Sequence, residues 1–64
     1  MATKMVWIVT GWFAHYEELN YTSPSEEFFA DSYEEAIRLQ IKMSDDPIYE
    51  SVTISEEPEE RDFY

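Results

Sequence analysis

The chain carries 15 acidic and 4 basic side chains in 64 residues, a formal net charge of −11. That length builds one domain, and that charge repels nucleic acid and anionic membrane surfaces wherever salt does not screen it. There is no cysteine, which excludes a disulfide framework and a thiolate metal site.

Met1–Lys4 reads as a short leader; with one Lys and no long apolar stretch it is not expected to be a signal peptide. No apolar run approaches the roughly 20 residues of a membrane span. Met5–Phe13 is the strongest strand signal. Val6, Ile8 and Trp12 fall on one face, and Met5, Trp7, Val9 and Phe13 on the other. A strand apolar on both sides is expected at the centre of a sheet with both faces covered. The chain holds material for one good helix, so one face lacks a cover and becomes a candidate contact surface. If that face is the one bearing Met5, Trp7, Val9 and Phe13, it forms a hot-spot patch or a dimer interface. Gly11, the only glycine, points to a bulge or a close backbone approach.

Ala14–Ser25 is a polar connection with turn formers Asn20, Ser23, Pro24 and Ser25. Glu26–Ala30 is a second strand, which pairs with the first as a hairpin. Ser32 and Glu35 form an S-x-x-E capping box, and Glu34 and Glu35 suit the positive end of the helix dipole. The helix runs over about 33–44. Tyr33, Ala36, Ile37, Gln40, Ile41 and Ser44 mark its apolar stripe, which Leu39 and Met43 widen. Glu34 and Arg38 are spaced for a helical ion pair. Pro47 ends the helix.

Ile48–Ser55 is a third strand by its period-two alternation. Pro58 then forbids a following central strand, and 56–64 is an acidic tail ending in Asp62, Phe63 and Tyr64. The expected fold is α+β: a small β-β-α-β domain with strands near 5–13, 26–30 and 48–55. Its three strands stand in order 2-1-3 with one helix on one face. The 2 Trp, 5 Tyr and 4 Phe supply burial of roughly 150–250 Å² each, which is unlike a disordered acidic chain.

Catalytic chemistry has no foothold in this sequence. The carboxylate pairs Glu17/Glu18, Glu26/Glu27, Asp45/Asp46 and Glu56/Glu57 are sequence neighbours, and on a strand neighbours point to opposite faces. No nucleophile has a base and an orienting third group, and His15 lies in a polar loop. Asp45, Asp46 and Glu50 are oxygen ligands without EF-hand spacing or its glycine. No enzyme activity, metal or cofactor is expected.

The acids as a group say more. The net charge exceeds the magnitude of about 2–8 that solubility asks of a small domain. Glu50, Glu56, Glu57, Glu59 and Glu60 follow an extended segment at about 3.3 Å per residue, a spacing able to imitate a row of DNA phosphates. Basic donors that hold phosphates accept carboxylates equally well. The plain alternative is a solvated acidic face.

Glu50-Ser51-Val52-Thr53-Ile54, followed by an acid-rich run containing Pro58, resembles the signature of phage uracil-DNA glycosylase inhibitors. In that family a Glu-Ser-Ile edge strand precedes a proline-containing glutamate cluster; Val52 stands where the family has Ile. The resemblance covers about a dozen residues. It implies that Glu50, Ser51 and Val52 enter the enzyme's DNA-binding cleft and that Ile54 helps line an apolar pocket for a leucine of the enzyme. It also implies that Glu57 and Glu60 replace phosphates.

The expectation is a DNA-mimic protein acting on a basic DNA-binding host protein, with uracil-DNA glycosylase as preferred target. The setting would be the cytoplasm of an infected bacterium. Its partner-binding residues would be Glu50, Ser51, Val52, Ile54, Glu56, Glu57, Glu59, Glu60 and Trp7. No direct binding to nucleic acid or membrane is expected, and the protein would be a monomer or a homodimer. The alternatives are an inhibitor of host RNA polymerase or of a CRISPR nuclease, and a structural module dimerising through the Trp7 face.

Overall fold

The computed structural model describes residues 3–62. The chain runs β1 (Thr3–Phe13), β2 (Ser25–Ala30), α1 (Tyr33–Ser44), β3 (Tyr49–Ile54) and β4 (Glu59–Asp62). The sheet is antiparallel in the order β2-β1-β3, and β4 also pairs with β1. The α+β fold with one helix and a central first strand is therefore the one its periodicities predict.

The fourth strand is a difference. The acidic tail is not free after Pro58: Glu59–Asp62 pairs with Thr3–Val6. β1 accordingly begins two residues earlier than its apolar pattern predicts. Strand here comes from partnership rather than propensity, since Glu, Arg and Asp are poor strand formers. Phe63 and Tyr64 lie outside the described residues.

Register fixes what each face holds. Trp7, Val9 and Gly11 share a face with Ala30, Phe28 and Glu26 of β2 and with Ile54 and Val52 of β3. α1 covers this face. Val9, Ala30, Ala36 and Met43 form the buried centre, with Trp7, Phe28, Leu39, Tyr49, Val52 and Ile54 packed against it. The Trp7 face is thus the covered one, which corrects its expectation as an open patch. Trp7 is half-buried, and its ring meets Tyr33 edge-on at 4.8 Å.

The helix starts as the capping box predicts, with one change. The Ser32 hydroxyl accepts from the Glu35 amide at 3.2 Å, but the Glu35 carboxylate accepts from the Asp31 amide, one residue before the cap. The inward stripe is narrower than predicted. Ala36 and Met43 are buried, whereas Ile41 is 60% exposed and Ser44 is exposed. Among the described residues the ion pairs are Lys4–Asp31, Arg61–Glu59 and the His15–Glu18 contact; Glu34 and Arg38 are not joined.

Gly11 has a concrete reason. A Cβ at this position would lie 2.6 Å from Tyr49 Cε1 and 2.6 Å from Met43 Cε. The Tyr49 ring passes over the bare backbone of β1, and its hydroxyl donates to Glu26 Oε2 at 3.0 Å. Glu26 is the β2 partner of Gly11. One side chain therefore ties β3 to β2 across the central strand. The bulge lies beside this point, between Trp12 and Phe13.

Candidate acidic interface

The expected site residues divide between two roles. Val52 pairs with Gly11 and Ile54 with Val9, so both side chains belong to the helix-covered face and pack on its core. Gln40 Nε2 donates to the Val52 carbonyl at 2.9 Å, fastening β3 to α1. These two residues anchor the strand; Ile54 does not line an open pocket, because strand alternation points it at the helix. Ser51 and Thr53 pair with Trp12 and Thr10 on the opposite face and are exposed.

Glu50 occupies the bulge. Trp12 pairs with Ser51 and Phe13 with Tyr49, which leaves Glu50 without a partner in β1. An unpaired bulge residue is freed from the ladder and its side chain re-aimed. Glu56 and Glu57 lie in the bend between β3 and β4, followed by half-buried Pro58. Ser55 holds the start of that bend: its amide donates to the Ile8 carbonyl at 2.9 Å and its hydroxyl accepts from the Ile8 amide at 3.1 Å. Glu59 pairs with Val6 and Glu60 with Met5. The Thr3 hydroxyl donates to Glu60 Oε1 at 2.8 Å.

Glu50, Glu56, Glu57, Glu59 and Glu60 are all exposed. They follow β1 from Phe13 to Met5. Between the rows of Phe13 and Val6 the ladder advances seven positions, roughly 23 Å at about 3.3 Å each. One DNA strand places about seven phosphates over that rise at 3.4 Å per nucleotide. That span carries four of the carboxylates, with Glu60 one row beyond at Met5, and strand alternation sets Glu59 and Glu60 on opposite faces.

The surroundings of Tyr49 hold its phenol in the neutral form. Its pKa is pushed up from 10.0 to about 12, first by burial, then by its hydrogen bond to Glu26 and the nearby charges of Glu26 and Asp46. Both effects favour the neutral phenol. The ring also stacks on Phe13 at 5.4 Å, and Phe13 meets Tyr21 at 4.4 Å.

One surface concavity borders the acidic row and another lies apart from it. One of about 570 Å³ is lined by Thr3, Phe29, Glu60, Arg61 and Asp62. The other, about 310 Å³, lies between the Ala14–Leu19 loop and Asp46–Ile48. His15 borders the second and faces Glu18 at 4.0 Å, exposed to solvent. Among the described residues no three His, Asp or Glu side chains are grouped to hold a metal ion, and no helix is long and apolar enough to cross a membrane. Asp46 instead closes a turn, its Oδ1 accepting from the Ile48 amide at 3.0 Å.

The face left without the helix is the one bearing Val6, Ile8 and Trp12 rather than the Trp7 face. There Trp12 and Phe29 are 42% and 50% exposed, and Arg61 places its guanidinium carbon 5.5 Å from the Phe29 ring centre. The signal was present in Val6, Ile8 and Trp12, but it gave no means of telling which face the helix would choose. No protein-family model, curated protein or solved structure matches the chain.

Proposed function

We propose that this protein is a non-enzymatic DNA mimic. It inhibits a basic DNA-binding host protein by occupying the cleft that DNA would fill, with uracil-DNA glycosylase as the preferred target. The observation that carries this reading is the extended row of exposed carboxylates, Glu50, Glu56, Glu57, Glu59 and Glu60, laid along β1 by β3 and β4. A cleft built for phosphates offers fixed cations and amide donors, and these bind carboxylates through the same charge-assisted bonds. The excess of acids over bases also steers such a protein to a basic partner. Glu50 and Ser51 are exposed on β3, which is compatible with contact to a partner. Val52 and Ile54 act from beneath, as anchors.

The direct test is inhibition of uracil-DNA glycosylase on a uracil-containing oligonucleotide. The expected result is loss of activity at one equivalent of protein. Glu50→Ala combined with Glu57→Ala should raise the dissociation constant at least tenfold, because bonds to charged groups contribute about 1.5–3 kcal/mol each. Full enzyme activity with excess protein removes the glycosylase as target. The same carboxylate row would then be tried on the DNA channels of host RNA polymerase and of a CRISPR nuclease. Dimerisation through the Trp7 face loses its surface to α1.

A further inference from the structure

The face of the sheet opposite α1 holds the rows Ser25–Trp12–Ser51 and Glu27–Thr10–Thr53. Farther along, Val6 and Ile8 are 0% and 5% exposed, so that end is closed. The other end is open: Thr10 is half-buried, while Ser51, Thr53 and Glu27 are exposed. Trp12 stands there in the central strand with a serine on either side, 42% exposed. Central strands ordinarily bury such a ring. Among the described residues its indole has no ring contact and no hydrogen-bond partner, unlike Trp7 against Tyr33. A projecting Trp on a floor of small side chains has the form of an interface anchor.

We infer that this open end is the seat of an arginine from the basic partner, with the guanidinium stacked on the Trp12 indole and paired to the Glu27 carboxylate. The inference deepens the DNA-mimic reading and rests on it. Charge decides the occupant. A second copy brings another −11 and another Glu27, and like charges across an interface are unfavourable. Nucleic acid is repelled for the same reason. A guanidinium satisfies both groups, being drawn to the indole face and bidentate to a carboxylate. Glu27 is the diagonal cross-strand neighbour of Trp12, at a separation long side chains span. The same face already shows the contact within the chain, where Arg61 lies over Phe29 at 5.5 Å.

The probe is octa-arginine amide, titrated into the ¹⁵N-labelled protein at 150 mM and at 20 mM sodium chloride, with the two indole N–H resonances read separately. A Trp7→Phe variant assigns them. The expected result is a saturable shift of the Trp12 indole with the Trp7 indole stationary. Trp12→Leu and Glu27→Gln should each weaken binding at least threefold. Glu18→Gln, an equal loss of charge on the exposed Ala14–Ser25 connection, should weaken it less than 1.5-fold. Binding with the Trp12 indole unmoved and Trp12→Leu as tight as the parent overturns the inference and leaves the acidic row as the contact. No binding at either salt concentration overturns the inference and the reading beneath it together.

Discussion

Replacing Gly11 by Ala tests how closely the Tyr49 ring lies over β1. The added methyl would sit 2.6 Å from Tyr49 Cε1, 2.7 Å from Tyr49 Cδ1 and 2.6 Å from Met43 Cε. Met43 ends in a flexible thioether and yields cheaply. Tyr49 cannot, because its ring is stacked on Phe13 and its hydroxyl is bonded to Glu26. Overpacking of this kind costs about 1–3 kcal/mol. Gly11 has no positive φ, so alanine fits the backbone and returns about 0.4–1 kcal/mol by stiffening the unfolded chain. The steric cost wins, with a net loss of about 1–2 kcal/mol.

For a domain of this length each kcal/mol moves Tm by about 4–8 °C, so thermal unfolding followed by circular dichroism should fall by roughly 5–15 °C. In a Tyr49→Ala background the same substitution meets no ring, and the effect should shrink below about 0.5 kcal/mol or change sign. A Gly11→Ala protein as stable as the parent would mean that the ring does not cross β1 here, and the tie between β3 and β2 would go with it.

Tyr49 should ionise late. Its folded pKa of about 12 lies above the ordinary 10.0, so the stability it contributes is complete below pH 10 and is lost as pH rises through about 12. Absorbance at 295 nm should show a tyrosinate component rising near pH 12, and Tyr49→Phe should delete that component. Ser32→Ala removes the oxygen that accepts from the Glu35 amide and should cost about 1 kcal/mol in urea unfolding. A chain stopped after Pro58 lacks β4. Losing its ladder with Thr3–Val6 should cost about 0.5–1.5 kcal/mol for each hydrogen bond lost, and unchanged unfolding would show that β4 adds nothing.

Local chemistry wrote the helix boundaries and the central strand plainly. Ser32 and Pro47 bracket α1, and alternation over Ile48–Ser55 gave β3 within one residue at each end. What the sequence left open was settled by partners distant along the chain. Glu59–Asp62 has no strand propensity and becomes β4 because Thr3–Val6 offers it a ladder. The covered face was undecidable from β1, which is apolar on both sides; the choice follows from Ala30, Val52 and Ile54 aligning with Val9 rather than with Ile8. The same alignment turned Val52 and Ile54 from expected contacts into anchors. The bulge at Glu50 had no signal beyond Gly11 nearby, since a register shift depends on two strands at once.

That division of β3 resolves a difficulty any row of like charges faces. Two carboxylates about 7 Å apart repel by roughly 0.6 kcal/mol in water, and salt lowers this further. Left on a flexible chain, five of them would spread, and a partner would have to spend binding energy to draw them back into line. Val52 and Ile54 are half-buried, and partial burial of such side chains contributes on the order of 1 kcal/mol each. The Gln40 bond to the Val52 carbonyl and the two Ser55 bonds to Ile8 add to that hold. Anchorage on the covered face therefore outweighs repulsion along the edge. Under the proposed reading, the half-buried Val52 and Ile54 would serve by holding the backbone that carries Glu50, Glu56 and Glu57 rather than by touching the partner.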